Sequence, residues 1–396
     1  MVDKAQEKQE YKLANGWAIF VYIGTPLVIG LFSWLFLMPF IDSTVDAKAS
    51  WILGAVSACM IGVAVIGLLE AIKGRFVIAT DKIVSIGVFS VKELKFNEIK
   101  GYRVSDKHIF IESLDAGKRK IKVSTYFGKS GEIIDWLATH YRDLDISQAD
   151  QEKEEILDNE AFGMTTELRE QKLAKAIKTA RFLNWAGALI CIWTLFIPRP
   201  YEYAIIASVV LPVICLIALK YFRGLIRIDE RKLSAYPSIF MAVLFSVTGL
   251  CVRGVTDYNV FDHSKVWNIC LLVTFIYMAL LIAGNKEFTF KKAKDYVVVT
   301  GLSIFMFGYS YGAVVSLNCL FDRSKPEIYN TTVLDKRISS GKTTKYYLEL
   351  KPWGQQKEAG EVAVSKKLYN RLDKDAEVKV YFMKGLFEIP WIRVTE

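Results

Sequence analysis

Seven stretches of the chain are almost continuously apolar: Trp17–Phe40, Trp51–Ile72, Phe182–Ile197, Tyr203–Leu219, Ser238–Val252, Val266–Ala283 and Val297–Leu320. Crossing a bilayer takes about 20 such residues, so the pattern predicts about seven transmembrane helices. Phe182–Ile197 and Ser238–Val252 are short for that role, and Ser238–Val252 gives the weakest signal. No Asp, Glu, Lys, Arg or His stands well inside any of the seven, and Glu70 comes within one turn of the end of the second.

After the second stretch the pattern changes from continuous to alternating. Phe76–Ala79, Ile83–Ile86, Glu93–Phe96, Ile99–Val104, His108–Glu112 and Lys120–Ser124 read as strands, separated by turn residues such as Thr80-Asp81, Ser105-Asp106 and Asp115-Ala116-Gly117. From Ser130 or Gly131 the period becomes helical, with Ile133, Ile134, Leu137 and Tyr141 on one face. An acidic run over Asp143–Glu160 follows. Thr165 or Thr166 then caps a helix whose stripe of Leu168, Leu173, Ile177 and Ala180 opposes Lys172, Lys175, Lys178 and Arg181. That helix is expected to lie along the membrane surface or to run straight into the third span. Beyond the last span, Thr331–Ile338, Lys345–Leu350, Gly360–Ser365, Glu377–Phe382 and Glu388–Val394 alternate again, with a turn at Ser339-Ser340-Gly341-Lys342 and a helical turn at Leu368–Leu372. Five short strands and one helical turn predict a small barrel of the OB or SH3 type.

Charge adds direction to this picture. The 396 residues are 52% hydrophobic and 23% charged, with a net charge of +9, which is consistent only if apolar and charged residues are segregated. Lysine and arginine concentrate in the tail (Lys4, Lys8, Lys12), after the fourth span (Lys220, Arg223, Arg227, Arg231, Lys232) and after the sixth (Lys286, Lys291, Lys292, Lys294). The alternate loops hold only Lys48, Arg199, and Arg253 with Lys265. The excess of positive charge predicts that the N-terminus and the rich loops face the cytoplasm and that the C-terminal region lies outside. Ala47-Lys48-Ala49 imitates a signal cleavage site, but the preceding apolar run is too long for a signal peptide and a second span follows at once, so an uncleaved hairpin is expected. The predicted fold class is an α-helical polytopic membrane protein with a cytoplasmic β domain and an extracytoplasmic small β-barrel-like domain. Its divisions are 1–72 (tail and hairpin), 73–145 (cytoplasmic domain), 146–181 (acidic linker and amphipathic helix), 182–320 (five-helix region) and 321–396 (external β domain).

The order IATDKIVSIG, LKFNEIKGYRV, HIFIESLDAGKRKIKVS and GEIIDWLATHY over Phe76–Tyr141 resembles the bacterial PH-like domains that follow transmembrane hairpins. The resemblance implies a binding or assembly module at the cytoplasmic membrane face and transfers no catalytic residues. The C-terminal stretches TTVLDKRISSGKTTKYYLEL, VAVSKKLYNRL and DAEVKVYFMKGLFEIPWIRV are similar to small β domains appended to uncharacterised bacterial membrane proteins, which implies a fold and no activity.

Candidate chemistry is sparse. The six cysteines sit within or at the ends of apolar runs, as small buried residues do, with no CxxC and no Cys/His metal spacing. The G-K-S at Gly128 and the G-K-T at Gly341 lack the upstream glycine of a P-loop, since Val123 and Lys336 stand there. Asp257, Asp262 and His263 share one outer loop without a spacing that selects a metal. No catalytic residue, metal or cofactor is therefore assigned, and no nucleic acid is expected. Lys118, Arg119, Lys120 and Lys122 form the densest basic cluster, a candidate contact for lipid headgroups or a partner, or else a solvated hairpin face. Gly301, Gly308 and Gly312 share one face of the last span and are candidates for close helix packing, within the chain or in a homo-oligomer. Trp353, Tyr369 and Trp391 could line a binding surface or fill a core. The reading that follows is a non-enzymatic scaffold, adaptor or sensor joining partners on one or both sides of the membrane, with envelope stress or toxin immunity within that class. Membrane lipids are expected neighbours. The alternative is a transporter or lipid-handling protein, which calls for a polar-lined cavity between helices.

Overall fold

In the computed structural model the described residues are 9–41, 47–115, 117–229, 231, 233–284, 287–291, 293–340 and 344–396. Lys4, Lys8, Ala116, Lys232, Lys286, Lys292, Gly341 and Lys342 lie outside them. The chain divides into two units, Met1–Gln151 and Glu152–Glu396.

The first unit opens with a strand that the hydrophobic pattern does not announce. β1 (Gln9–Lys12) precedes helix α1 (Asn15–Ile41), which is followed by α2 (Ala47–Lys73) and β2 (Arg75–Ile78). β1 pairs antiparallel with β2, Tyr11 opposite Phe76, so the strands that flank the hairpin join in one sheet. β3 (Lys82–Ile86) and β4 (Val91–Lys95) complete it in the order β1-β2-β3-β4. β5 (Ile99–Val104), β6 (His108–Ser113) and β7 (Ile121–Ser124) form a second sheet of three, and α3 (Ser130–His140) follows. Alternation drives the closure: Phe76, Ile83, Ile109, Ile111 and Ile121 are fully buried, and Ile133 and Leu137 of α3 join them in one core. The hairpin is different. α1 has no buried residue, and among the described residues of α2 only Ser57 is buried, so their apolar side chains face outward. Glu70 docks the β3–β4 turn onto the end of α2 by accepting a hydrogen bond from the Val88 amide at 2.8 Å. The acidic run forms a helix of its own, α4 (Leu144–Asp158), within which the division between units falls.

The second unit is a helical bundle continuous with a β domain. Thr165 caps α5 (Thr166–Phe196) by accepting from the Leu168 amide, and α5 runs without a break into the third apolar stretch. α6 (Tyr201–Phe222), α7 (Phe240–Thr256), α8 (Ser264–Gly284) and α9 (Ala293–Leu320) follow. Among the described residues six helices are long and apolar enough to cross a membrane: α1, α2, α5, α6, α8 and α9. That fits a multi-pass membrane protein. The expected seventh, α7, has 17 residues, about 25 Å at the helical rise and short of a 30 Å hydrocarbon layer. It is nonetheless central. Gly187 of α5 abuts Ala242 and Gly249 abuts Thr194, so α7 runs parallel to α5, and Gly254 meets Gly312 of α9. Where α7 is short, Leu225, Ile226 and Ile228 of the preceding loop fill the same core.

Several polar side chains within the bundle find partners there, as is favoured where water is absent, with the buried Ser316 hydroxyl an exception. Thr194 bonds Ser208 at 2.8 Å and Thr274 bonds Ser310 at 2.9 Å. The Tyr277 and Tyr309 hydroxyls donate to the carbonyls of Pro212 and Val209.

The C-terminal β domain comprises β9 (Glu327–Ser340), β10 (Thr344–Leu350), β11 (Gly360–Val364), α10 (Lys366–Arg371), β12 (Glu377–Met383) and β13 (Trp391–Thr395). The loop after α7 adds β8 (Asn259–Val260), giving the order β11-β10-β9-β12-β13-β8 in a nearly closed barrel. Val333, Leu348, Leu350, Val378 and Val380 are fully buried inside it.

Candidate functional site

The barrel stays open at one seam. β11 pairs with β10 along one edge, and its other edge faces β8 without a ladder. A side chain crosses instead: Asn259 Nδ2 donates to the Ala363 carbonyl at 2.9 Å. An unpaired strand edge exposes N–H and C=O groups that another chain can use. Outside this seam lies a cleft of about 710 Å³, between the loop Asp257–Asn259, α10 and β13. Lys367, Arg371 and Arg393 reach it from α10 and β13. Arg371 pairs with Glu396 at 3.4 Å, whereas Lys367 and Arg393 have no ion pair among the described residues. The acid in the opposite wall, Asp257, is already engaged by Arg253 at 3.3 Å and by the Tyr201 hydroxyl at 2.8 Å. Burial pushes the neighbouring Tyr258 phenol up to about 12. The cleft is thus cationic. A smaller chamber of about 180 Å³ lies on the other side of Asn259, against Phe261 and Trp353.

Three sets of contacts fix this cleft to the bundle. β8 is covalently continuous with α7 and α8 and pairs with β13 through Asn259–Ile392 and Val260–Trp391. Buried Asn318, at the end of α9, donates to the Ile389 carbonyl and accepts from the Phe387 amide, each at 2.9 Å. Gly385 meets this contact at φ +78, and a Cβ there would fall 2.3 Å from the Asn318 amide, so only glycine fits. Asp322 accepts from the Gly385 amide at 2.9 Å and from the Trp391 indole at 2.8 Å. Burial pushes the Asp322 carboxyl up, but hydrogen bonds from Ser324, Trp391 and Gly385 outweigh it and hold the group below its ordinary value. Arg253 closes the end of α5 by donating to the Thr194 and Leu195 carbonyls at 2.8 and 3.0 Å.

The other sequence candidates disperse. Lys118 pairs with Glu98 at 2.6 Å and Lys120 pairs with Glu112. Lys118 holds the Glu98 carboxyl below its ordinary value. Burial raises Glu112, but Lys120 and Arg103 outweigh it. Lys122 projects from β7 opposite Phe110, and Arg119 is exposed on the connecting hairpin, so half of the basic cluster is already neutralised. Gly312 sits against α7, where a Cβ would fall 2.6 Å from the Leu250 carbonyl, and Gly308 faces Cys251. Gly301 does not join that seam. A Cβ there meets nothing within 4 Å, and Gly301 is exposed. In the loop between α7 and α8, Asp262 accepts from the Ser264 amide and hydroxyl at the start of α8, and His263 stacks on Trp267 and Tyr311. Trp353 is core, Tyr369 stacks on Tyr346, and Trp391 bonds Asp322. Among the described residues no group of three or more His, Cys, Asp or Glu side chains is placed to hold a metal.

The seam was not foreseeable from spacing. Its cations come from α10 and β13 and meet only once the strand order is set. No protein-family model, curated protein or solved structure matches the chain.

Proposed function

We propose that this chain is a non-enzymatic membrane adaptor whose outer β domain captures an acidic, extended segment of an extracytoplasmic partner at the β8–β11 seam. The observation that carries this reading is the coincidence of a free strand edge with Lys367 and Arg393, in a cleft held by the bundle. The edge offers main-chain hydrogen bonds, and the cations select the sign of the partner. The order of the five sequential strands, with a helix between the third and fourth, suits a small OB-type barrel, a class that binds on its surface strands and loops. In the first unit, four plus three strands and a closing helix favour the PH-like reading of a second binding module. The lysine and arginine excess assigns that module to the cytoplasm. A bundle interior filled by tyrosines, Met306 and paired hydroxyls favours an adaptor over a carrier.

A photoreactive amino acid at position 367 of the full chain, in its native membrane, tests this. A discrete crosslinked species is expected, reduced at least about fivefold by Arg393→Glu. The same probe at Lys379, on β12, is expected to give none. Equal crosslinking from both positions, or indifference to Arg393→Glu, would remove the seam from the proposal.

A further inference from the structure

At the end of the bundle away from the β domain, most cations have partners. Lys294 and Arg231 pair with Asp229 at 2.8 and 3.3 Å, and Arg227 lies 3.3 Å over the Tyr236 ring. One group has aromatic rings but no carboxylate beside it, and in it Lys172 lies 5.8 Å over the Phe162 ring. Lys172 of α5 and Lys220 and Arg223 at the end of α6 line a cleft of about 550 Å³ around Tyr221, and Lys175 lies 5.7 Å over the Tyr221 ring. No carboxylate lines this cleft, and none of the four cations has an ion pair among the described residues. Four like charges gathered on two adjacent helix ends repel one another until an anion enters.

The remaining wall identifies the anion. Ile217 is 63% exposed one turn deeper into α6, and exposed Val213 and Ile214 continue the apolar surface along a helix long enough to cross a membrane. A free phosphate uses only the cations. A lipid uses both walls, its phosphate among the four cations and an acyl chain along Ile217. We infer that this cleft binds the headgroup phosphate of an anionic phospholipid in the leaflet at that end of the bundle. The aromatic ring at the boundary suits the same level, where Tyr side chains anchor at membrane interfaces.

The full chain, purified in detergent, is offered equimolar phosphatidylglycerol and phosphatidylcholine and examined by native mass spectrometry. Retention of phosphatidylglycerol over phosphatidylcholine by roughly tenfold is expected. The variant Lys172→Gln/Lys220→Gln/Arg223→Gln is expected to bring the ratio within about twofold of unity. Arg119→Gln/Lys120→Gln/Lys122→Gln, in the other unit, is expected to keep it. Should the first triple variant fail to fold, the single variants Lys220→Gln and Arg223→Gln each lower the ratio about two- to threefold, while Lys220→Arg retains it. An absent preference in the wild type, an unchanged preference in the first triple or the two single variants, or loss in the second triple would overturn the assignment. Release of the lipid by inorganic phosphate would overturn it too, by making the site one for free phosphate.

Discussion

Both β domains of this chain are completed by a strand borrowed from sequence next to a membrane-type helix, and they differ in what the borrowed strand closes. In the first unit, β1 lies just before α1 and pairs along four residues, and it buries Tyr11 in the core. In the second, β8 lies between α7 and α8, pairs along two residues, and leaves its other edge bridged to β11 by the Asn259 side chain alone. The difference teaches where binding capacity can reside. A borrowed strand that contributes a core residue consumes its edge in stability. A borrowed strand that contributes a side-chain bridge anchors the domain and leaves a seam usable by a partner. The anchoring then comes from elsewhere, chiefly Asn318 and Asp322.

Two variants sharpen the contrast. The larger effect is expected for Tyr11→Ala. Removing a buried aromatic side chain costs about 3–5 kcal/mol, so the first unit is expected to lose its cooperative melt while the second keeps its own. An unchanged melt of the first unit would mean that β1 is an ornament and the comparison false. The smaller effect is expected for Asn318→Ala, which strands the Phe387 amide and the buried Ile389 carbonyl at a cost of about 1–3 kcal/mol. Here the β domain is expected to stay folded, since Val333, Leu348 and Val380 are untouched, but to come loose from the bundle, seen as increased protease cleavage near Leu386. Equal loss of the β-domain core would show that docking and folding cannot be separated.

The sequence made the regular elements legible and left the borrowed ones hidden, for the same physical reason. Ile99–Val104 alternates long enough to announce β5 at its observed limits, and Thr165 marks the start of α5. Gln9–Lys12 buries only Tyr11, and Asn259–Val260 is two residues long, so neither carries a readable period. The loop between α7 and α8 offered no strand signal because the partner strand that gives it meaning, Trp391–Thr395, lies far along the chain. Helix α4 was masked by its acidic run, in which Glu152 is buried against Ser234 and the Ala235 amide. Among site residues, Lys172, Lys175, Lys220 and Arg223 were visible as polar faces and loop charges, but their convergence on Tyr221 needed the α5–α6 packing. Gly308 and Gly312 were legible because GxxxG spacing acts locally. Gly301 was not separable from them, because which turns of a helix face receive a neighbour is a tertiary property.

Hydrogen–deuterium exchange on the wild-type chain in its membrane tests most directly whether bundle and C-terminal β domain form one body. The amides of Phe261, Gly385, Leu386 and Phe387 sit in segments that would be open loops on a tethered domain, and here they bond Pro390, Asp322 and Asn318. Exchange at least about a hundredfold slower than unstructured amides is the predicted result. Exchange of these four at unstructured rates, with the strands of the barrel still protected, would mean that the β domain swings free and would contradict the account.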